Sequence, residues 1–273
     1  MQRIRLRYTK RGRLRFTSHR DFQRAFERAL RRSQVPMAYS AGFTPHPKVS
    51  YANAAPTGTG SEAEFLEIAL TERRDPDVLR RQLDDSMPDG LDITDAVEAR
   101  TSGLADRLTA SVWEIRLDGV EREAAEKAVA AFDAAETVEV ERRTKNGMRA
   151  FDARAAVVEL RSVDLPADRS GDRACAILRL VVRHVTPAVR PDDVLSGLRV
   201  VADLADGASP VQAKPRTWGT VPAAVTRLAQ GLFDEESGTV TDPLAPDREA
   251  APAAATTAAG TAVATAPEGA GSA

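Results

Sequence analysis

Residues 13–51, RLRFTSHRDFQRAFERALRRSQVPMAYSAGFTPHPKVSY, decide how the rest of the chain is read. Ser18 is a good helix N-cap, and Asp21 stands at the capping-box position three residues on. Phe22, Ala25, Phe26, Ala29 and Leu30 then recur at helical spacing, which predicts an amphipathic helix over 18–33. Its other face carries Arg20, Arg24, Arg28, Arg31 and Arg32, with Glu27 almost alone against them. Pro36 ends the helix. The following loop holds Tyr39, Ser40, Gly42, His46 and Lys48, and Pro45 and Pro47 keep His46 in a stiff, extended stretch.

Working outward, Ile4, Leu6 and Tyr8 alternate with Arg3, Arg5 and Arg7, the pattern of a strand with one buried and one arginine-lined face; Leu14 and Phe16 continue it. Downstream come a short strand at 49–52, a turn at 57–60, a strand at 66–70, a helix capped by Asp75 with Pro76 in its first turn, and a closing strand from Leu91. This β-α-β-β-α-β order over 1–103 is the ferredoxin-like split motif. A second copy is expected over 104–232, from a strand at 108–117, a helix at 121–135, and a strand beginning at Val138 and Val140. Its remaining parts are an Asn146-Gly147 hairpin turn, an apolar strand at 174–185, a helix opening at Arg190-Pro191, and a last strand near Val211–Trp218. The expected class is therefore α+β, two tandem ferredoxin-like (βαββαβ) domains. The alternatives are a single larger sheet, or an insertion around 145–172. Residues 233–273, rich in Ala, Pro and Thr, are expected to be a disordered tail.

The formal net charge of −2 hides an asymmetry. Residues 1–50 hold thirteen Lys and Arg against Asp21 and Glu27, a net of +11, which points to an anionic partner. A single cysteine, Cys175, excludes an internal disulfide and fits a reducing compartment. No apolar run reaches membrane-spanning length and no signal-type segment opens the chain, so a cytoplasmic location is expected.

The candidate catalytic groups are His19 and His46. His19 follows the N-cap, where the helix dipole disfavours imidazolium and leaves a neutral base; the bland alternative is an ordinary surface histidine. Ser18, His19, Arg20, Arg24, Tyr39, Ser40, Gly42, His46 and Lys48 form the candidate anion-binding set, and Arg3, Arg5, Arg7, Arg28, Arg31 and Arg32 the candidate nucleic-acid face. Cys175 and His184 do not match a metal-ligand spacing, so no metal site is expected. Glu62, Glu64 and Glu67 read as general acid/base groups or, more plainly, as strand residues with pairing partners. Lys214 to Trp218 combines basic and aromatic residues in a nucleic-acid-like composition, while Val225-Thr226-Arg227 carries no mechanistic signal.

The run FTSHRDFQRAFERALRRSQVPMAYSAGFTPHPKVSYANAAPTG, residues 16–58, resembles the N-terminal signature of the radical SAM-linked protein family. This is a domain of unknown function found alone or fused behind a B12-binding radical SAM enzyme. The resemblance spans 1 to about 240 and is densest at 13–62. It implies a non-catalytic accessory or substrate-recognition module working with a radical SAM enzyme. No CxxxCxxC motif occurs here, so the SAM, iron–sulfur cluster and cobalamin would belong to the partner. The basic head makes RNA, or tRNA, the expected substrate. One alternative is a metal-independent RNA-processing enzyme of ferredoxin-like fold. In it His19 or His46 would assist attack of a ribose 2′-hydroxyl, with Lys48 or Tyr39 stabilising the transition state. Another is a protein-docking scaffold.

Overall fold

The structure is a computed structural model that describes residues 1–145, 147–164, 174–205 and 223–250. Strand β1 (Gln2–Lys10) turns Ile4, Leu6 and Tyr8 toward helix α1 (His19–Arg32), which meets them with Phe22, Phe26, Ala29 and Leu30. The Ser18 hydroxyl accepts from the Asp21 amide at 3.2 Å, the N-cap expected at that position. Between the two elements, Gly12–Phe16 form a 3₁₀ turn and do not prolong the strand. Gly12, at φ +53, takes the chain out of the sheet there.

Strands β2 (Val49–Ala52) and β3 (Gly60–Leu70), helix α2 (Pro76–Asp84) and strand β4 (Ile93–Glu98) complete the first half. The strands lie in the order β4-β1-β3, with β2 on the later part of β3, and every pair is antiparallel. The second half contains β5 (Ala110–Asp118), α3 (Arg122–Ala134), a hairpin of β6 (Glu139–Thr144) and β7 (Gly147–Asp152), β8 (Val157–Val163), β9 (Cys175–Arg183), α4 (Pro191–Ala205) and β10 (Ala224–Gly231). Here the order is β10-β5-β9-β8, again antiparallel. The β6–β7 hairpin is a separate two-stranded sheet inserted between α3 and β8. Its turn residue Asn146 and the strand expected at 211–218 lie outside the described residues. The strand that closes the second half is β10.

The halves are joined by one parallel step, Thr226 opposite Gly60 and Arg227 opposite Ser61. The result is a mixed α+β chain with one mostly antiparallel eight-stranded sheet. Gly60 matters at this seam, because a Cβ there would meet the Thr226 hydroxyl at 3.0 Å. One apolar cluster fills the space between α3, α4 and the second-half strands, and another lies between α1, α2 and the first.

A third cluster, with Phe65, Val97, Leu104, Leu108 and Leu244, lies on the opposite face of the first half. It corrects the expectation of a disordered tail from 233. Residues 233–250 form β11 (Phe233–Asp234), β12 (Thr239–Val240) and the short helix α5 (Ala245–Glu249), and they pack against that face. Residues 251–273 lie outside the described residues. The packing is close at Gly231, where a Cβ would stand 1.8 Å from the Thr241 carbonyl oxygen. We expect Gly231→Ala to cost roughly 3 kcal/mol, near the top of the usual overpacking range, read as a fall in the urea midpoint. Among the described residues no helix is long and apolar enough to cross a membrane.

Candidate functional site

Strand alternation sends Arg3, Arg5 and Arg7 to the face away from α1, so they do not join the helix arginines in one surface. Arg5 is buried. Its Nε donates to Glu67 at 3.0 Å, and its Nη1 donates to Asp247 of α5. Arg3 lies 3.5 Å from Glu67, and Arg7 Nε donates to the Glu62 carbonyl at 2.9 Å. Of the expected nucleic-acid face, these three are thus occupied by the protein itself to different degrees.

The helix arginines are different. Arg24 approaches Asp21 only at 3.8 Å with both side chains well exposed, an arrangement worth little. Arg20, Arg28, Arg31 and Arg32 are exposed and have no acid partner among the described residues. Positions 20 to 32 span about 18 Å of helix, so the stripe is a row of charges. Exposed aromatic rings lie in the segments on either side of it: Phe16 (59% exposed) under the Arg15 guanidinium before α1, then Tyr39 (52%) and the fully exposed Phe43 after it.

The candidate anion set divides between the two ends of α1. His46, Tyr39 and Arg31 line one hollow of about 470 Å³, with Glu27 also in its wall. Ser40 shapes the loop there, its hydroxyl accepting from the His46 amide at 3.0 Å, and Gly42 takes φ +130. Lys48 is exposed and outside that hollow. Ser18 and His19 instead border a space of only about 20 Å³ beside Tyr8, Lys10 and Glu64. The His19 ring stands edge-on to Tyr51 at 4.7 Å and its Nε2 is 3.1 Å from Gln23. Cys175 opens β9 and His184 directly follows its end, roughly 30 Å apart. No group of three His, Cys, Asp or Glu suited to a metal ion occurs among the described residues.

A second site emerges at the seam. Glu64 and Arg227 are both almost wholly buried and pair at 3.2 Å. Arg227 Nη1 also donates to the Asn53 carbonyl at 2.7 Å, and the guanidinium lies over the Trp113 ring, 4.7 Å from its centroid. Glu64 accepts from the Ala55 amide at 2.9 Å. Lys10 is buried close by, donating to the Pro56 carbonyl at 3.2 Å. Burial lowers the pKa of both cations, and the Glu64 charge counters that in each. Burial likewise lifts the Tyr8 phenol well above its usual range, with Glu64 adding to the effect. Gln230 accepts from Asn53 Nδ2 at 3.0 Å and donates to the Ala63 carbonyl at 2.6 Å, tying β10 to the loop after β2.

His184 forms the seam's outer edge. Its Nδ1 is 2.6 Å from the Leu108 carbonyl, which only accepts, so Nδ1 carries the proton and Nε2 accepts from Ser111 at 2.7 Å. Burial lowers its pKa, consistent with a neutral ring. Glu62, Glu64 and Glu67 therefore prove to be paired carboxylates, with Arg11, Arg227 and Arg5 respectively. Sequence reasoning noted Arg227 only as mechanistically silent and passed over Asn53 and Gln230. The available signal was Arg227 itself, the one charge in the run Ala224 to Gln230.

An α+β protein built on one mixed sheet, with a cationic helix face and a buried polar seam, is the class these observations define. The chain belongs to the family described as uncharacterized protein conserved in bacteria (DUF2344), whose model matches residues 3–191. The match takes in the whole first half and ends at Pro191, before β10. Among curated proteins none matches the chain.

Proposed function

We propose that this protein is a non-catalytic substrate-recognition module that holds a single-stranded region of RNA, such as a tRNA loop, along α1. The observation that carries the reading is the row Arg20, Arg24, Arg28, Arg31 and Arg32, nearly free of acid partners and bordered by exposed Phe16, Tyr39 and Phe43. Arginines neutralise phosphates, and exposed rings stack on unpaired bases. A row of charges with rings at both ends suits a strand better than it suits an acidic protein surface. The resemblance of residues 16–58 to the radical SAM-linked signature supports a place beside a radical SAM enzyme. That partner would supply SAM, an iron–sulfur cluster and cobalamin, in the cytoplasm. In the same reading the two halves are tandem ferredoxin-like units, each following the strand order β4-β1-β3-β2 or its counterpart β10-β5-β9-β8. For the enzyme alternative, geometry brings His46 and Tyr39 to one hollow but leaves His19 in a separate one and Lys48 outside both.

The test is fluorescence anisotropy with a labelled single-stranded RNA. Contacts to about four phosphates predict a slope of log K against log salt near −3. Arg24→Glu/Arg28→Glu/Arg31→Glu should weaken binding by about 100-fold or more without changing thermal stability. Equal affinity of the variant and the parent protein would refute the assignment.

A further inference from the structure

The seam opens into a cavity of about 480 Å³ between the loop after β2, the end of β9 and the start of α4. Its walls are mostly apolar, with Pro56, Trp113, Val189, Pro191 and Val225 among them, and Arg227 also lines it. That size and lining are ordinary for a small-molecule site. The charge is not ordinary.

Lys10 and Arg227 are both buried at the seam, and Glu64 is the carboxylate that faces them there. Arg227 spends Nη1 on Asn53 and Glu64. Among the described residues its Nε, sealed from water, has no partner and its Nη2 makes no hydrogen bond. Nε–H and Nη2–H share one edge of the guanidinium, the two-donor fork that matches two oxygens of a carboxylate or phosphate. A buried donor left unmade is costly, and Arg227 is among the residues lining the cavity, but Nε has no surface of its own there, so an acceptor entering beside it bonds Nε only with a small shift of the guanidinium. The surroundings agree in sign. Arg190, exposed and without an acid partner among the described residues, and the N-terminal turn of the fifteen-residue α4 border the same cavity. Arg183 is also there but is engaged by Glu235, and Asp192 adds an exposed acid at the wall.

We propose that the seam cavity binds a small organic anion, its carboxylate or phosphate held by the unpartnered edge of Arg227 after a small shift of that side chain, and its apolar or ring-shaped body lying against Pro56, Val189, Pro191 and Val225. The proposal is independent of RNA binding along α1. The anionic group could belong to a free small molecule or to the terminal phosphate of a nucleic acid, and the experiment separates these sources.

The full chain is titrated calorimetrically with phenyl phosphate, benzoate and benzyl alcohol, and with a short single-stranded RNA bearing or lacking a 5′-phosphate. Phenyl phosphate or benzoate should bind at submillimolar concentration, at least tenfold tighter than the neutral alcohol. In nitrogen-15 spectra the Arg227 Nε–H and Trp113 indole signals should move on titration. Arg227→Lys keeps a positive charge opposite Glu64 but lacks the two-donor edge, and should bind the anion at least tenfold more weakly. A 5′-phosphate that strengthens RNA binding in the parent protein, but not in Arg227→Lys, assigns the anion to nucleic acid. Anion binding with no 5′-phosphate effect assigns it to a free molecule. The proposal is overturned if neither anion binds at millimolar concentration, if the alcohol binds equally well, or if the Arg227 and Trp113 signals stay still. The spectra of the parent protein decide the matter even if Arg227→Lys fails to fold.

Discussion

Arg227→Met is expected to destabilise the protein by about 3–5 kcal/mol, as breaking one side of a buried ion pair usually does. The reason is what remains. Glu64 is almost fully buried, and after the substitution its partners would be the Ala55 amide and the more distant Lys10 charge. A carboxylate in that position must either stay charged at high cost or take up a proton. The same change removes the Arg227 bond to the Asn53 carbonyl, which anchors the loop over the β3–β10 junction. The decisive comparison is the double variant Glu64→Gln/Arg227→Met. It removes both charges, so most of the lost stability should return, and urea unfolding of the four proteins yields the coupling energy. A double variant no more stable than Arg227→Met would mean that the loss comes from packing over Trp113 and the loop anchor, not from the stranded charge.

How far this site could be read in advance depends on which interactions are local. The cap at Ser18, the apolar stripe from Phe22 to Leu30 and the alternation in Ile4, Leu6 and Tyr8 are short-range patterns, and the structure follows them. Arg5 has the same alternation, yet its environment is set by Asp247, 242 positions later, and no window around residue 5 contains that information. The seam is hidden in the same way: Glu64 and Arg227 are 163 positions apart and each looks like an ordinary solvent-facing charge in a strand. The residues from 233 were misread because composition dominates there. Leu244 and Asp247 do their packing from a stretch whose neighbours are Pro, Ala and Thr. The α1 arginines were legible because exposure needs no partner, only an apolar stripe on the opposite side.

Asp247→Ala is the second change expected to cost about 3–5 kcal/mol, and it tests whether the segment after β10 is part of the fold. Helix α5 has five residues, too few to hold itself in water. Asp247 is buried and accepts from the Arg100 and Thr101 amides at 2.9 Å each, from the Thr101 hydroxyl at 2.6 Å and from Arg107 at 3.0 Å, and it pairs with Arg5. Burial alone would raise its pKa. The bonds from Thr101 and Arg5, with the Arg5 charge, outweigh that and pull it down to about 2. Because the folded value lies below the unfolded one, this carboxylate contributes stability that is complete above about pH 4. It is lost as the pH falls through about 2, when the proton that the unfolded chain already binds is also taken up by the folded one. Asp247→Asn should therefore remove a pH-dependent part of the stability while keeping the shape. Its unfolding free energy, followed by urea titration from pH 6 to pH 2, should lie well below that of the parent protein at pH 6 and approach it toward pH 2. Parallel curves across that range would mean that the Arg5–Asp247 charge pair does not hold the C-terminal segment in place. A separate readout is proteolysis: with Asp247→Ala the bonds around Gly231 to Glu249 should become cleavable by a protease that leaves the eight-stranded sheet intact.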